Sequence, residues 1–219
     1  MASSVDTRPP VLHRHHVALL LVGPLALAAA GATHPAHLTS SSAEWWRQVH
    51  IVMLPLFPLL GANVWILLRG VWDGLDGAIA TGARVLAFVY AAFYTALDVL
   101  AGIANGALVA NSNNTGIDVS APKSVIFGQG NDLAEVGVWA LVVSSILVSV
   151  VYARRFGRFA LGGGLVLVTA SVSFLDSHVY PVRGVVTMIG FGVGAVVLAL
   201  HAVRRHEALV TATPGHHLS

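Results

Sequence analysis

Long runs of apolar residues alternate with short polar segments along the whole chain. A helix needs about 20 mostly apolar residues to cross about 30 Å of hydrocarbon, and six runs come close to that length. Because lipid-exposed backbone must satisfy its own hydrogen bonds, runs of this length predict helices rather than strands. The six predicted spans are 17–33, 49–68, 84–110, 133–152, 159–175 and 184–203.

Composition places the chain outside the soluble class. Hydrophobic residues make up 56% of the sequence, charged residues only 10%, and the mean hydropathy is +0.76. Soluble domains carry about 25% charged residues. The sequence therefore predicts an all-α, polytopic membrane bundle whose main partner is the lipid bilayer. We expect one transmembrane domain over 17–203, with tails at 1–16 and 204–219.

Two features of the composition exclude classes of function. Cysteine is absent, so the chain has neither disulfides nor thiolate metal ligands. Basic residues form no cluster with interleaved aromatic residues, which argues against a nucleic-acid partner. Eleven of the twelve Lys and Arg residues are Arg, and Ala, Val and Gly abound, a composition typical of bacteria with GC-rich genomes.

Positive charges favour one orientation of the six spans. Nine Arg residues fall on one side and three basic residues on the other, so the positive-inside rule predicts cytoplasmic termini. Together with the composition, this orientation predicts a multi-pass protein of a bacterial plasma membrane. The nine are Arg8, Arg14, Arg69, Arg84, Arg154, Arg155, Arg158, Arg204 and Arg205. The three on the predicted outer side are Arg47, Lys123 and Arg183.

Two segments leave room for other interpretations. The first run follows basic residues and ends in small ones, so residues 1–32 also suit a cleaved signal peptide, which would leave five spans. The segment 111–132 is rich in Asn, Ser, Gly and Asp, and it predicts a long outer loop with a turn at 113–116.

Ionisable residues inside the spans are the first functional candidates, because burying them in a membrane is costly. Asp98 lies near the middle of the third span, and Tyr90, Tyr94 and Asn105 share its helical face. We expect this face to line a ligand or proton path. The alternative is a neutral Asp98 that is hydrogen-bonded to neighbouring helices.

Polar residues gather at the predicted outer ends of the spans. Together with Asp98 they predict a polar pocket that opens outward and binds a cation, a proton or a small polar ligand. The residues expected at this pocket are His34, His37, His50, Asp132, Glu135, Asp176, His178 and Arg183.

Several of these side chains suit a metal ion. Imidazole favours Zn, Cu or Fe, and His34 and His37 are spaced closely enough to share one. Met53 lies one turn after His50, a pair that would suit copper, and Met188 near the outer end of the sixth span could add a third ligand. His178 is a further candidate metal ligand. The alternatives are solvated histidines and a methionine that fills the core.

Three functions use these residues differently. Transport or proton relay through Asp98 is the leading hypothesis. A metal-dependent enzyme would use Asp98 or Glu135 as general base, although the sequence has no HExxH or GxSxG motif. An accessory subunit would instead pack its glycine-rich helix faces against a partner membrane subunit or a second copy.

Overall fold

The computed structural model describes residues 12–212, with side chains up to residue 208. All regular structure in this part of the chain is helical. Six helical stretches are long and apolar enough to cross a membrane, which confirms the predicted all-α bundle of six spans. The helices are α1 (Arg14–Thr33), α2 (Ala43–Met53), α3 (Phe57–Leu67), α4 (Gly74–Leu97), a π-helix (Asp98–Ala104), α5 (Asn105–Thr115), α6 (Ser120–Phe156), a 3-10 turn (Arg158–Ala160), α7 (Leu161–Ser177) and α8 (Arg183–Ala212).

The helices pack mainly with near neighbours in the chain. α4 lies along α6, α6 along α7 and α7 along α8, while α1 closes the bundle against α8 and α3. The terminal helices begin and end within the predicted tails, at Arg14 and Ala212. Residues 1–11 and 213–219 lie outside the described part of the chain.

The second span is divided into α2 and α3 by a break at residues 54–56. Pro55 lies in the break, and Pro58 occupies the first turn of α3. Proline lacks a backbone N–H and is tolerated in a first turn, so the sequence ends one helix and begins another here. The break makes α2 a short separate helix at one end of the bundle.

The prediction of a long loop over 111–132 is wrong. The third span continues through α5 to Thr115, α6 begins at Ser120, and only residues 116–119 connect them. Gly116 ends α5 with φ of 69°, a left-handed conformation that glycine adopts without strain. Polar composition suggested a loop, but tertiary contacts hold this segment helical: Asn105 donates to the Lys123 carbonyl and Asn113 to the Ser40 carbonyl.

Polar side chains in the body of the bundle donate to backbone carbonyls of neighbouring helices. Ser144 donates to Ala83 over 2.8 Å, and Tyr152 donates to Leu67 over 2.8 Å. Each pair joins two helices and satisfies a hydroxyl that lipid could not. These contacts stabilise the packing of α6 against α4 and α3.

The end of the bundle that carries Arg84, Arg154 and Arg155 is called here the arginine end. Arg84 is buried, donates to the Leu68 and Val71 carbonyls, and lies 3.7 Å from the centre of the Trp72 ring. The opposite end, which carries His34, His50 and His178, is called the histidine end.

At the arginine end, Asp76 joins the start of α4 to the end of α6. Its two carboxylate oxygens accept from Arg154 Nε at 2.6 Å and from Arg155 Nε at 2.9 Å. We expect Asp76→Asn to lower the free energy of unfolding by about 1 to 2 kcal/mol, because Arg155 is mostly buried and loses its anionic partner.

The measurement is thermal unfolding of the purified protein in mild detergent. Asp73→Asn is the matched control, since Asp73 undergoes the same charge change three residues away at an exposed position. Equal unfolding temperatures for both variants would contradict a stabilising role for the Asp76 ion pairs.

Candidate functional site

Three histidines from different parts of the chain meet at the histidine end. His34 directly follows α1, His50 lies on α2, and His178 directly follows α7. One ring nitrogen of each lies within 4.8 Å of those of the other two. His34 and His50 are each only 2% exposed. The fold therefore produces a compact, largely buried imidazole cluster, which we call the histidine cluster.

Two members of the cluster have a defined tautomer. His34 Nδ1 lies 2.7 Å from the Pro35 carbonyl, and His50 Nδ1 lies 2.6 Å from the Trp46 carbonyl. A carbonyl only accepts, so each ring must carry a proton on Nδ1 and donate it. The two Nε2 atoms then present lone pairs to each other at 3.4 Å. Two neutral rings in this arrangement cannot hydrogen-bond, so the pair is suited to a shared cation.

The third histidine is fixed by a side chain and by its backbone. His178 Nδ1 shares a 2.5 Å hydrogen bond with the Tyr94 hydroxyl, which leaves its Nε2 unengaged by that contact. The backbone of His178 has φ of 41° and ψ of −139°, which lies outside the left-handed helical region where most positive-φ L-residues are found. Such strain costs about 1 to 3 kcal/mol and is concentrated at functional sites.

Close packing against α1 holds this strained turn in place. A Cβ on Gly31 would lie 2.5 Å from the Val179 carbonyl oxygen, so only glycine allows α1 and the turn to approach this closely. His34 follows three residues later and faces the same turn: its ring centre is 5.6 Å from that of His178. The small residue therefore brings two of the three imidazoles together.

The π-helix forms the platform on which His50 lies. A Cβ on Gly102 would come within 2.1 Å of His50 Cδ2, so the ring packs directly on the glycine backbone. Trp46 Nε1 donates to the Ala101 carbonyl over 3.1 Å, which joins α2 to the same segment. A π-helix widens the turn and occurs often at functional sites. Here the π-helix supplies the glycine on which His50 packs and the Ala101 carbonyl that accepts from Trp46, and both contacts orient α2.

Asp98 begins the π-helix directly below the cluster. The carboxylate is completely buried, and Oδ1 lies 4.0 Å from His50 Nε2. Within the described residues, neither carboxylate oxygen accepts a hydrogen bond. A buried carboxylate without partners is costly, so the position calls for a proton, a metal ion or water that the protein atoms do not provide.

Burial favours the neutral form of His34 and His178, the two members of the cluster that lie outside the spanning helices. Desolvation lowers the pKa of His34, an effect that its hydrogen bond to Pro35 only partly offsets. Desolvation, followed by the proximity of His50 and His34, lowers the pKa of His178 well below its usual value. Neutral imidazole is the form that binds metal ions.

A cavity of about 550 Å³ adjoins the cluster. His50, His178 and Asp98 line it, and Glu135 and Asp176 line it from exposed positions. Its walls are largely apolar and come from the π-helix, α6 and the end of α7. The apolar lining residues are Leu97, Ala101, Phe127, Ala134, Val138, Trp139, Phe174 and Leu175.

The structure brings most of the predicted pocket residues together. His34, His50 and His178 form the cluster, and Asp98 and Tyr94 lie directly against it. The predicted pocket residues Glu135 and Asp176 line the cavity, and Asp176 forms an ion pair with Arg183.

Five other predicted residues lie apart from the cavity. His37 is exposed in the α1–α2 connection, and Met53 is buried in the apolar core. Tyr90 is buried with its ring centre 5.5 Å from that of Tyr94. Asn105 is buried and donates to the Lys123 carbonyl. Asp132 is also exposed and does not line the cavity.

Sequence reasoning missed Trp46 and Tyr180 as parts of the site. Trp46 packs on both His34 and His50, with ring centres 4.8 and 4.9 Å away. Tyr180 lies 5.1 Å from His34 and 5.2 Å from His178. The position of Trp46, four residues before His50 on one helical face, was the available signal.

No protein family model, curated protein or solved structure matches the chain.

The packing of His50 on Gly102 yields a direct test. We expect Gly102→Ala to destabilise the protein by about 1 to 3 kcal/mol, because the added methyl group overpacks the contact and displaces His50. Thermal unfolding in detergent measures the change.

Gly128→Ala is the control, since nothing lies within 4 Å of the added Cβ. At this helical position alanine should be neutral or stabilise by up to about 1 kcal/mol. If the Gly102→Ala protein is as stable as the Gly128→Ala protein, His50 does not pack closely on the π-helix.

Proposed function

We propose that this multi-pass membrane protein is a metalloprotein that holds a transition-metal ion on His34, His50 and His178. The observation that carries the proposal is the pair of facing Nε2 lone pairs at 3.4 Å, on rings whose Nδ1 protons are donated elsewhere. With metal–nitrogen bonds of about 2.0 to 2.1 Å, ligands of a tetrahedral ion lie about 3.3 Å apart. The His34–His50 separation matches that edge.

The contacts behind the rings also match those of metal-binding histidines. Ligand imidazoles usually donate their second N–H to a carbonyl or carboxylate, which fixes the ring and raises its basicity. His34 and His50 do so to the Pro35 and Trp46 carbonyls, and His178 is held by the Tyr94 hydroxyl.

A metal ion fits the cluster better than a shared proton. Desolvation lowers the pKa values of His34 and His178, so protonation of these rings is disfavoured. A divalent ion does not require these rings to be protonated. Three direct metal–nitrogen bonds would offset the cost of bringing its charge into the buried cluster. Imidazole ligands suit Zn, Cu and Fe, and the donor set alone favours these over Mg or Ca.

Passage of a cation through the bundle is the second candidate function. It is favoured by Asp98, a fully buried carboxylate without hydrogen-bond partners in the described residues. Below it, however, the rings of Tyr90, Tyr94 and Phe174 pack together at centre distances of 4.7 to 6.4 Å. Because these rings pack together beside Asp98, we prefer the binding of a resident metal ion over cation passage as the function.

The test is metal analysis of the protein purified in mild detergent, loaded with Zn²⁺ and dialysed. We expect about one ion per chain in the wild type, and an affinity lower by at least about 100-fold in His50→Gln and His178→Gln, because each loses a direct ligand. Substitution with Co²⁺ should give the visible absorption of a tetrahedral site.

His37→Gln is the matched control, since His37 is a nearby exposed histidine outside the cluster. Equal loss of metal from His37→Gln and His50→Gln would contradict the assigned ligands. A folded wild type that retains no Zn²⁺, Cu²⁺ or Fe²⁺ would overturn the proposal. Uptake of radioactive Zn²⁺ into proteoliposomes would instead favour cation passage.

A further inference from the structure

The cavity beside the histidine cluster is larger than an ion requires. Its volume of about 550 Å³ lies within the range of about 300 to 1,000 Å³ that is usual for sites that bind organic molecules. His34 does not line it, whereas His50, His178 and Asp98 do. A molecule in the cavity would therefore approach the cluster on the side of His50 and His178.

The chemistry of the cavity changes from wall to rim. Asn131, Glu135 and Asp176 contribute exposed polar groups at its edge, while Val138 and Phe174 are buried in its wall. A ligand that matches this lining has a polar group close to apolar chains. That description fits an amphiphile better than an ion or a sugar.

One side of the cavity faces the surface that lipid would cover. Trp139 lines the cavity, lies within the spanning helix α6 and is 50% exposed. Leu175, near the end of α7, also lines the cavity and is partly exposed. An opening with both an apolar edge and the polar rim allows a molecule to enter from the bilayer surface.

The metal proposed above would leave a coordination position toward this cavity. Three protein ligands and one open position are typical of catalytic zinc sites, where the bound water loses a proton near neutral pH. Asp98 Oδ1, 4.0 Å from His50 Nε2 and free of hydrogen bonds from the described residues, is placed to accept that proton.

We propose that the protein hydrolyses a carboxylic ester of an amphiphile in this cavity, with Asp98 as general base. This inference rests on the metal site of the proposed function. Water on the metal gives a proton to Asp98, and its oxygen bonds to the ester carbonyl carbon. The bond from that carbon to the alcohol oxygen then breaks, and the alcohol oxygen takes the proton from Asp98. Ester and water become acid and alcohol, with no oxidant or reductant.

The cavity wall sets the expected substrate preference. The apolar residues are arranged along the π-helix and α6, so an acyl chain of moderate length gains contact that acetate does not. Ala134→Phe would fill part of this wall while leaving the histidine cluster intact. It should reduce hydrolysis of long-chain esters more than that of short ones.

The experiment measures hydrolysis of p-nitrophenyl acetate, butyrate and decanoate by the Zn²⁺-loaded protein in detergent. We expect Asp98→Asn to retain zinc and to lower kcat by about 10² to 10⁴-fold, as expected for loss of a general base. Asp132→Asn is the matched control, because Asp132 is exposed and does not line the cavity. Its rates should equal those of the wild type.

The outcomes separate this inference from the metal site. Zinc retention without hydrolysis of any ester would overturn the inference and leave the proposed function standing, whereas a folded protein that retains no metal would overturn both. Loss of zinc from Asp98→Asn would make Asp98 a ligand and overturn its role as base. Equal rates in Asp98→Asn and wild type would also overturn that role.

Discussion

A polar group left without a partner in hydrocarbon costs several kcal/mol, and this cost governs the whole structure. It forces the backbone into helices, and it turns the interior hydroxyls of Ser144 and Tyr152 toward carbonyls of neighbouring helices. Arg84 meets part of the same constraint: Nη2 donates to two carbonyls at the end of the second span, whereas Nε and Nη1 have no hydrogen-bond partner in the described residues. Where polar groups are paired in this way, the helices are locked together.

At the histidine end, the same constraint leaves a carboxylate and two imidazoles without partners. Asp98 has no hydrogen-bond partner in the described residues, and the Nε2 atoms of His34 and His50 face each other without a proton between them. The surrounding structure is closely built: Trp46 donates to the π-helix, and Gly102 admits the His50 ring. Unsatisfied groups in a tightly packed setting point to a ligand rather than to a packing defect.

The fold was largely predictable because hydrophobic run length alone defines a spanning helix. The six spans, and the position of Asp98 inside one of them, follow from the positions of apolar and ionisable residues. The hairpin formed by α5 and α6 could not be predicted in this way. Its polar residues are held helical by contacts such as the hydrogen bond from Asn113 to the Ser40 carbonyl. Local composition carries no information on such contacts.

The residue types at the candidate site were predictable, but the individual residues that form it were not. The spacing of His34 and His37 in the sequence made the two residues equally good candidates. Only His34, which directly follows α1, is buried, whereas His37 is exposed. The choice depends on Gly31 and on the strained turn at His178, two features that involve packing between distant parts of the chain. The same holds for the π-helix, whose extra residue per turn leaves no mark in the hydrophobic period.

The wide sequence spacing of the three histidines has a consequence for the chain as a polymer. An ion shared by His34, His50 and His178 would cross-link the first connection, the second span and the last connection of the bundle. Because the three ligands come together only in the folded chain, the ion would bind the folded state and shift the folding equilibrium toward it. In a chain without cysteine, the ion would thus serve as a reversible counterpart of a disulfide, present or absent according to metal supply.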